Sequence, residues 1–407
     1  MVQDRDGKAR TSELIHVSFS ALAPMSRIER AARTALEAGI CRSVHLIGYQ
    51  VGDLPASEAF APGIRITRVP LRRYRGLPRI FHRTLNAVEW NLAVLKLVRR
   101  GRPLLLQAHS LAALPASVVA ARLAGCPLLY DAHELESERQ GWPPSLRAAA
   151  RTLERALIRF ADHTIVVCDS IADWYRTRYR LTKLTTLRNI AVRPEHPIAE
   201  GRDIRSLCGV PADALLFVFL GEIDRGRGIE AMLDVFSRSG PDKHIVFMGY
   251  GRMAPMVEDH ARRHANIHFQ PPVRSLDVVP TIRSADVGMV FFDGDSLSYQ
   301  YCLPNKLFEC LNAGLPLICT PLRELSRFVT ELECGWLCAA EPNALRALVA
   351  TLDRTAVEAR KEQVARQTEH FSWSTEREKL IGIYRTLLAS RWDRQGVSRT
   401  IRDLEVS

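Results

Sequence analysis

No uncharged apolar run of about eighteen residues occurs in the 407-residue chain, so a bilayer-spanning helix is not expected. Met1–Arg10 is polar and charged and carries no apolar core of a secretory leader. Cysteine is used without a pairing pattern: the nine residues at 41, 126, 168, 208, 302, 310, 319, 334 and 338 are an odd number set mostly within apolar runs, as free thiols are in a reducing compartment. Cys334 and Cys338 lack two further ligands at zinc-site spacing, and no metal is expected. The glycine-rich turns hold neither the Gly-Lys-Ser/Thr of a P-loop nor the glycines at one, three and six of a dinucleotide fingerprint, which disfavours an ordinary ATPase or dehydrogenase. No repeat of solenoid period and no low-complexity tract is present. Acidic residues are nearly missing from one window: residues 65–102 contain eleven Arg or Lys against Glu89 alone, a local +10 within a net charge of +11.

The chemistry that is present lies in the second half. Pro304-Asn305-Lys306-Leu307-Phe308-Glu309, closed by Gly314, reads as a polar loop entering a short helix with a carboxylate one turn in. A carboxylate accepts from both hydroxyls of a ribose, and the unpaired amides that open a helix face anionic oxygens. Taken alone, Glu309 better suits a solvated helix position paired with Lys306, and it is the context of the neighbouring motifs that reverses this. Upstream, the apolar run Leu215–Leu220 leads through Gly221, Glu222, Ile223, Asp224, Arg225, Gly226, Arg227 and Gly228 into a helical pattern over Ile229–Phe236. Glycine permits close backbone approach and arginine offers a fixed fork of donors, so this turn suits a diphosphate. A second strand candidate, His244–Met248, runs into Gly249-Tyr250-Gly251 and a helix over Met253–Arg263. Strand and helix alternate again from Ile267, Val287–Phe292 and Leu315–Cys319, predicting an α/β half whose ligand lies at the carboxyl ends of its strands.

These motifs resemble the nucleotide-sugar half of the family 4 glycosyltransferases, retaining enzymes of the GT-B fold. The resemblance implies two Rossmann-like domains facing each other across a cleft, with donor contacts from Gly226, Arg227, Gly228, Gly249, Gly251, Val273, Pro304, Asn305, Lys306, Leu307 and Glu309. It implies a catalytic set of His109, Arg227 and Glu309, with Glu309 on the ribose and no metal. The family's first glutamate, separated from the second by seven residues, falls on Tyr301, which breaks the pattern. Its donor-sugar histidine falls on His109, at the end of the buried run Leu104–His109. The string Asp131-Ala132-His133-Glu134 and Arg27, after the first strand Leu14–Ser20, match positions where similar chains face the acceptor, so Arg27, His133 and Glu134 are expected there. The absence of an Asp-x-Asp string agrees with metal-free transfer, because Asp293-Gly294-Asp295 reads as a turn.

Length suits two domains, 1–195 and 205–370, divided near Pro194-Glu195-His196-Pro197, with closing helices over 371–407 that resemble those crossing back to the first domain. The expected activity is sugar transfer from a nucleotide-diphosphate sugar to a glycan or lipid-linked acceptor in polysaccharide or glycolipid synthesis. A nucleotide-sugar epimerase and a weakly catalytic binding protein are the alternatives. The basic window interleaves Tyr74, Leu77, Ile80, Phe81, Leu85, Val88, Leu92 and Leu95, and predicts an arginine-rich turn feeding an amphipathic helix whose apolar stripe packs on the first sheet. Arg72, Arg73, Arg75, Arg79 and Arg83 would then meet an anionic membrane surface. Nucleic acid is disfavoured, since no helix-turn-helix, zinc-finger or RNA-platform sequence accompanies the charge. A cytoplasmic protein, peripheral on the inner face of the membrane, is the expected location.

Overall fold

The computed structural model describes residues 12–23, 25–71, 79–191, 202–294, 296–367 and 372–394, and the side chains of 79–84 and 391–394 lie outside that description. The chain divides into two compact units, Met1–Ser137 with Trp142–Leu187 and Arg377–Ser407, and Glu138–Gly141 with Arg188–Glu376. The division at Leu187/Arg188 precedes the expected linker, whose residues 192–201 are outside the described ones.

The first unit holds β1 (Glu13–Ser18), β2 (Ser43–Tyr49), β3 (Ser57–Ala61), β4 (Ile64–Val69), β5 (Leu105–His109), β6 (Leu128–Ala132), β7 (His163–Val166) and β8 (Leu184–Thr186). They form one sheet in the order β3-β4-β2-β1-β5-β6-β7-β8, parallel apart from the antiparallel β3–β4 edge. The central strands are buried along their whole length, which explains why they read as apolar runs without alternation. Strand order reverses between β1 and β5, so Ser18 and His109 stand side by side at the switch point where such sheets bind ligands. Next to it, β6 is anchored by Glu154, fully buried on the helix Pro144–Ile158, which accepts from the hydroxyls of Tyr130, Tyr175 and Tyr179.

The helix Arg79–Gly101 requires a correction. Its buried face is Trp90, Val94 and Val98, spaced by four, whereas Leu85, Val88 and Leu92 of the expected packing stripe are exposed. The Trp90 indole also donates to the Gly48 carbonyl at 3.0 Å, which sets the face that turns inward. Arg72, Arg73 and Arg75 lie outside the described residues, as do the side chains of Arg79 and Arg83.

The second unit holds β9 (Leu215–Glu222), β10 (Lys243–Tyr250), β11 (Ile267–Gln270), β12 (Val287–Val290), β13 (Leu317–Cys319) and β14 (Gly335–Leu337). Their order is β11-β10-β9-β12-β13-β14, all pairs parallel, with the reversal between β9 and β12. Phe217, Phe219, Phe247, Met289 and Phe291 pack its core. The strand β9 extends beyond the expected Leu220, because Gly221 and Glu222 pair with Gly249 and Tyr250.

That pairing is tight. A Cβ on Gly249 would stand 1.8 Å from the Gly221 carbonyl oxygen, and one on Gly251 would stand 2.2 Å from that of Ile223. Both contacts are with backbone, which has little freedom to yield. Gly249→Ala is expected to destabilise the protein by about 3 kcal/mol, the upper range for overpacking, read as a lower urea midpoint. Gly382→Ala, on the helix Trp373–Arg394 with open space around it, should instead raise stability by about 0.5–1 kcal/mol.

Candidate anion site and a buried histidine cluster

The turn that leaves β9 ends at Gly228, which precedes the helix Ile229–Phe236. Gly226 and Gly228 have φ of 77° and 68°, in the left-handed region that glycine enters at little cost. The Asp293 amide donates to the Gly226 carbonyl at 2.9 Å and ties this turn to the segment after β12. Arg227 is thereby placed at the reversal of strand order.

Its guanidinium carbon lies 4.6 Å from the centroid of the Phe292 ring and 5.6 Å from that of Tyr299, and Nη2 is 3.3 Å from the exposed Glu222 carboxylate. Lys306, the second residue of the helix Asn305–Asn312, puts Nζ 4.2 Å from the Phe219 ring and 5.0 Å from the same Phe292 ring. Two cations therefore share one aromatic ring, each attracted by the ring quadrupole. Burial, with Arg227 adding like-charge repulsion, brings the Lys306 ammonium down to about 7. The helix carrying Lys306 opens on Pro304 in extended conformation (φ −75°, ψ 153°) and has no side-chain cap. Its first turn and the two cations together make a surface suited to an anion with several oxygens.

Among the expected donor residues, the structure brings Gly226, Arg227, Gly228 and Lys306 together, with Pro304, Asn305 and Glu309 on the same helix or its entry. Glu309 is half-buried, and the Asn305 side-chain oxygen accepts from Asn189. Four further expected donor residues lie around this site or beyond it. Leu307 is fully buried and its amide donates to Pro304, so its side chain serves the core. Gly249 and Gly251 make room for the backbone of residues 221–223, as described above. Val273 lies in the loop after β11, two strands away from β9. Phe219, Phe292 and Tyr299 are residues of the candidate site that the pattern alone does not reveal: the first two read as core at the ends of apolar runs, and Tyr299 lies in a polar stretch without a motif. At the position of the missing glutamate, the Tyr301 hydroxyl accepts from Arg323 Nη1 at 3.4 Å, with that guanidinium 5.4 Å from the ring.

In the first unit, the carboxyl ends of β1, β5 and β6 carry a linked set of polar side chains. His16 Nδ1 is 2.9 Å from His109 Nε2, and His109 Nδ1 is 3.0 Å from His133 Nε2 and 3.3 Å from Asp131 Oδ2. Arg27 holds Asp131 with Nε at 3.1 Å from both oxygens and Nη2 at 2.7 Å from Oδ1, while Nη1 donates to the Leu187 carbonyl. The Gln107 amide donates to Asp131 at 3.3 Å and accepts from Tyr384 at 2.6 Å. Burial alone would raise the Asp131 carboxyl, but the adjacent Arg27 charge and the histidines hold it well below the usual range. Burial brings the His109 ring down to about 4, against the pull of Asp131. Glu136, also buried and not singled out by the motif reading, accepts from the amides of Leu111 and His133. Ser110 has φ 69° and ψ 160°, a strained setting for a side chain costing about 1–3 kcal/mol, and its amide is fixed by the Asp131 carbonyl.

The same geometry places Arg27, expected on the acceptor side, and His109, expected at the donor sugar. Arg27 is 6% exposed with its donors committed to Asp131 and Leu187, so it positions the cluster and does not present its charge outward. His109 is fully buried with both ring nitrogens engaged, while His133, at 30% side-chain exposure, is the ring that reaches solvent. Glu134 beside it is half-buried.

The family model described as glycosyl transferase 4-like domain matches residues 23–189, and that described as glycosyl transferases group 1 matches residues 214–354. No curated protein matches the chain in sequence. Sucrose-phosphate synthase from Thermosynechococcus elongatus is similar in structure, with a TM-score of 0.70 at 16% identity over 93% of this chain and 100% of that one. Anabaena HepE, solved with UDP-glucose, gives 0.69 at 12% identity over 92% and 99%. A putative UDP-N-acetylglucosamine 2-epimerase from Listeria monocytogenes gives 0.61 at 13% identity over 96% and 98%.

A ligand anion placed beside Lys306 favours the charged ammonium. Above pH 7 the free lysine is largely neutral, so binding takes up a proton and affinity falls as pH rises from about 7 towards the ordinary lysine value. Calorimetry of pyrophosphate binding at pH 8.5, in two buffers of different ionisation enthalpy, should show this uptake, and Lys306→Met should remove it.

Proposed function

We propose, on the premise that this chain belongs to the family 4 glycosyltransferases of the GT-B fold, that it transfers a sugar with retention of configuration from a nucleotide-diphosphate sugar to a glycan or lipid-linked acceptor at the inner face of the membrane, in polysaccharide or glycolipid synthesis. The observation that carries this reading is the pair Arg227 and Lys306 around Phe292 at the strand-order reversal of the second unit. Breaking the bond to the donor sugar puts charge on a diphosphate, and two preplaced cations with the first turn of Asn305–Asn312 stabilise that charge as it grows. No metal is needed at the diphosphate on this account. HepE, of the same fold, is held with UDP-glucose, which supports a nucleotide-sugar donor.

Glu309 accepts from the ribose hydroxyls in this proposal, and the acceptor hydroxyl attacks from the face that the diphosphate leaves. His133 meets substrate, while the sequence-expected role of His109 is exercised through the hydrogen bond by which it orients His133. Tyr301, next to the cation Arg323 where a glutamate is expected, replaces an anion with a phenol on the sugar side.

Membrane attachment has its own support. Leu85, Val88 and Leu92 are exposed at intervals of three and four along one helix, and Val119 and Leu123 are exposed on the helix Leu114–Ala124. Arg99 and Arg100 close the first of these helices with exposed charge. An apolar face beside basic residues suits an anionic lipid surface, with about 1 kcal/mol per charge near the headgroups. Among the described residues no helix is long and apolar enough to cross a membrane.

Arg227→Ala and Glu309→Ala should each weaken nucleoside-diphosphate binding at least tenfold with unfolding still cooperative, as read by calorimetry and thermal melting. Incubation with radiolabelled nucleotide sugars and a lipid extract should move label into an organic phase. Epimerised donor with no transfer would assign the chain to the epimerases, and binding without conversion would leave only a nucleotide-sugar receptor. Sedimentation with anionic vesicles should fall when the exposed apolar face is broken by Val88→Asp together with Leu92→Asp, and should fall for the unaltered protein at high salt. Equal binding to neutral vesicles would overturn the electrostatic part.

A further inference from the structure

We infer that the first unit contains a binding site for a divalent transition-metal ion, of the Zn2+ type, formed by His109 Nδ1, Asp131 Oδ2 and His133 Nε2. The three atoms stand 3.0, 3.3 and 3.7 Å apart and form the one such group of His, Cys, Asp and Glu among the described residues. Ligands about 2.0–2.2 Å from a tetrahedral ion are separated by about 3.3–3.6 Å, so the observed triangle needs shifts of only a few tenths of an ångström to receive one. Two imidazoles and a carboxylate are a donor set that zinc favours, and the set is incomplete by one ligand. His133 is partly open to solvent, which can supply the fourth.

The surroundings suit ligation as well. His109 Nε2, the nitrogen away from the ion, is 2.9 Å from His16 Nδ1, which fixes the ring and its tautomer. Asp131 keeps Oδ1 on Arg27 Nη2 at 2.7 Å, and its Oδ2 accepts from Arg27 Nε at 3.1 Å and from Gln107 at 3.3 Å, so the carboxylate arrives oriented. Arg27 is the feature that opposes a cation here. Against its single charge stand Asp131, Glu134 and Glu136, the last buried and bonded to the His133 amide, so the neighbourhood accepts positive charge. The ligands come from β5, β6 and the residue just beyond it, which are adjacent in the sheet and hold the spacing rigidly. With the ion bound, the direct hydrogen bond between His109 and His133 gives way to the shared ion, which orients the His133 ring in its place, and the inference stands whether or not the sugar-transfer reading holds.

The test uses the full chain. Zn2+ is titrated in competition with a chromophoric chelator, and Co2+ binding is followed by visible absorption. One equivalent should bind, with the bands of a four-coordinate nitrogen and oxygen site and without the near-ultraviolet thiolate transition that the nine cysteines would produce. His133→Ala removes the most exposed ligand and leaves the Arg27–Asp131 pair intact, so it should fold and lose at least tenfold in affinity. His16→Ala, which touches no ion, should lose about 10–100-fold through its hold on His109. Folded wild-type protein that takes up no stoichiometric Zn2+ overturns the inference. So does affinity unchanged by His133→Ala, since the ion then resides on thiols.

Discussion

Two like charges held against one ring are the constraint on which the second unit's chemistry depends. Arg227 and Lys306 repel each other, and the turn of Gly226–Gly228 and the rigid start of Asn305–Asn312 hold them together at Phe292. The repulsion is tolerable because aromatic faces attract cations and because Lys306 can shed its proton. An arriving anion relieves the crowding, so part of the affinity is already stored in the preset arrangement. The backbone contacts of Gly249 and Gly251 matter for the same reason, since they seat the residues 221–223 from which that turn departs.

The first unit solves the opposite problem. A carboxylate, Asp131, is almost fully buried at the strand edge, and an isolated charge there would be expelled or neutralised. Arg27 compensates it with a forked contact, and Gln107 and the histidines complete its hydrogen bonds. Such a pair contributes little net stability, but removing either member leaves an unpaired buried charge, so the geometry is strongly specified. His109 and Ser110 are fixed by the same network, the latter in a strained conformation that its neighbours over-determine.

Much of this is legible in the chain itself. The apolar runs at Leu215, His244 and Val287 announce buried parallel strands, because sheets covered on both faces do not alternate, and the helix Ile229–Phe236 has the bounds its pattern predicts. The short edge strands Ser57–Ala61 and Leu184–Thr186 carry mixed polarity and give no such signal. Arg227, Lys306 and Glu309 can be named because glycine turns and helix starts have local signatures. Phe292 and Tyr299 cannot, since what brings them into the candidate site is which cation stands over them, a tertiary fact. The exposed Leu85, Val88 and Leu92 read as core for a related reason: a helix with apolar residues on two faces does not say which one Trp90 will anchor.

One connection in the first unit bears on how the protein is made. Tyr384, on the last described helix, bonds to Gln107, and the residues from Arg377 onward are grouped with a sheet whose strands end at Thr186. During synthesis the ribosome delivers the entire second unit before that tyrosine emerges. The earlier sheet must therefore wait, with Gln107 unsatisfied on one side, while the later one is free to finish folding first. A nascent chain that has exposed its residues up to Glu376 holds a complete second unit and an unfinished first one, a state in which chaperones have reason to engage.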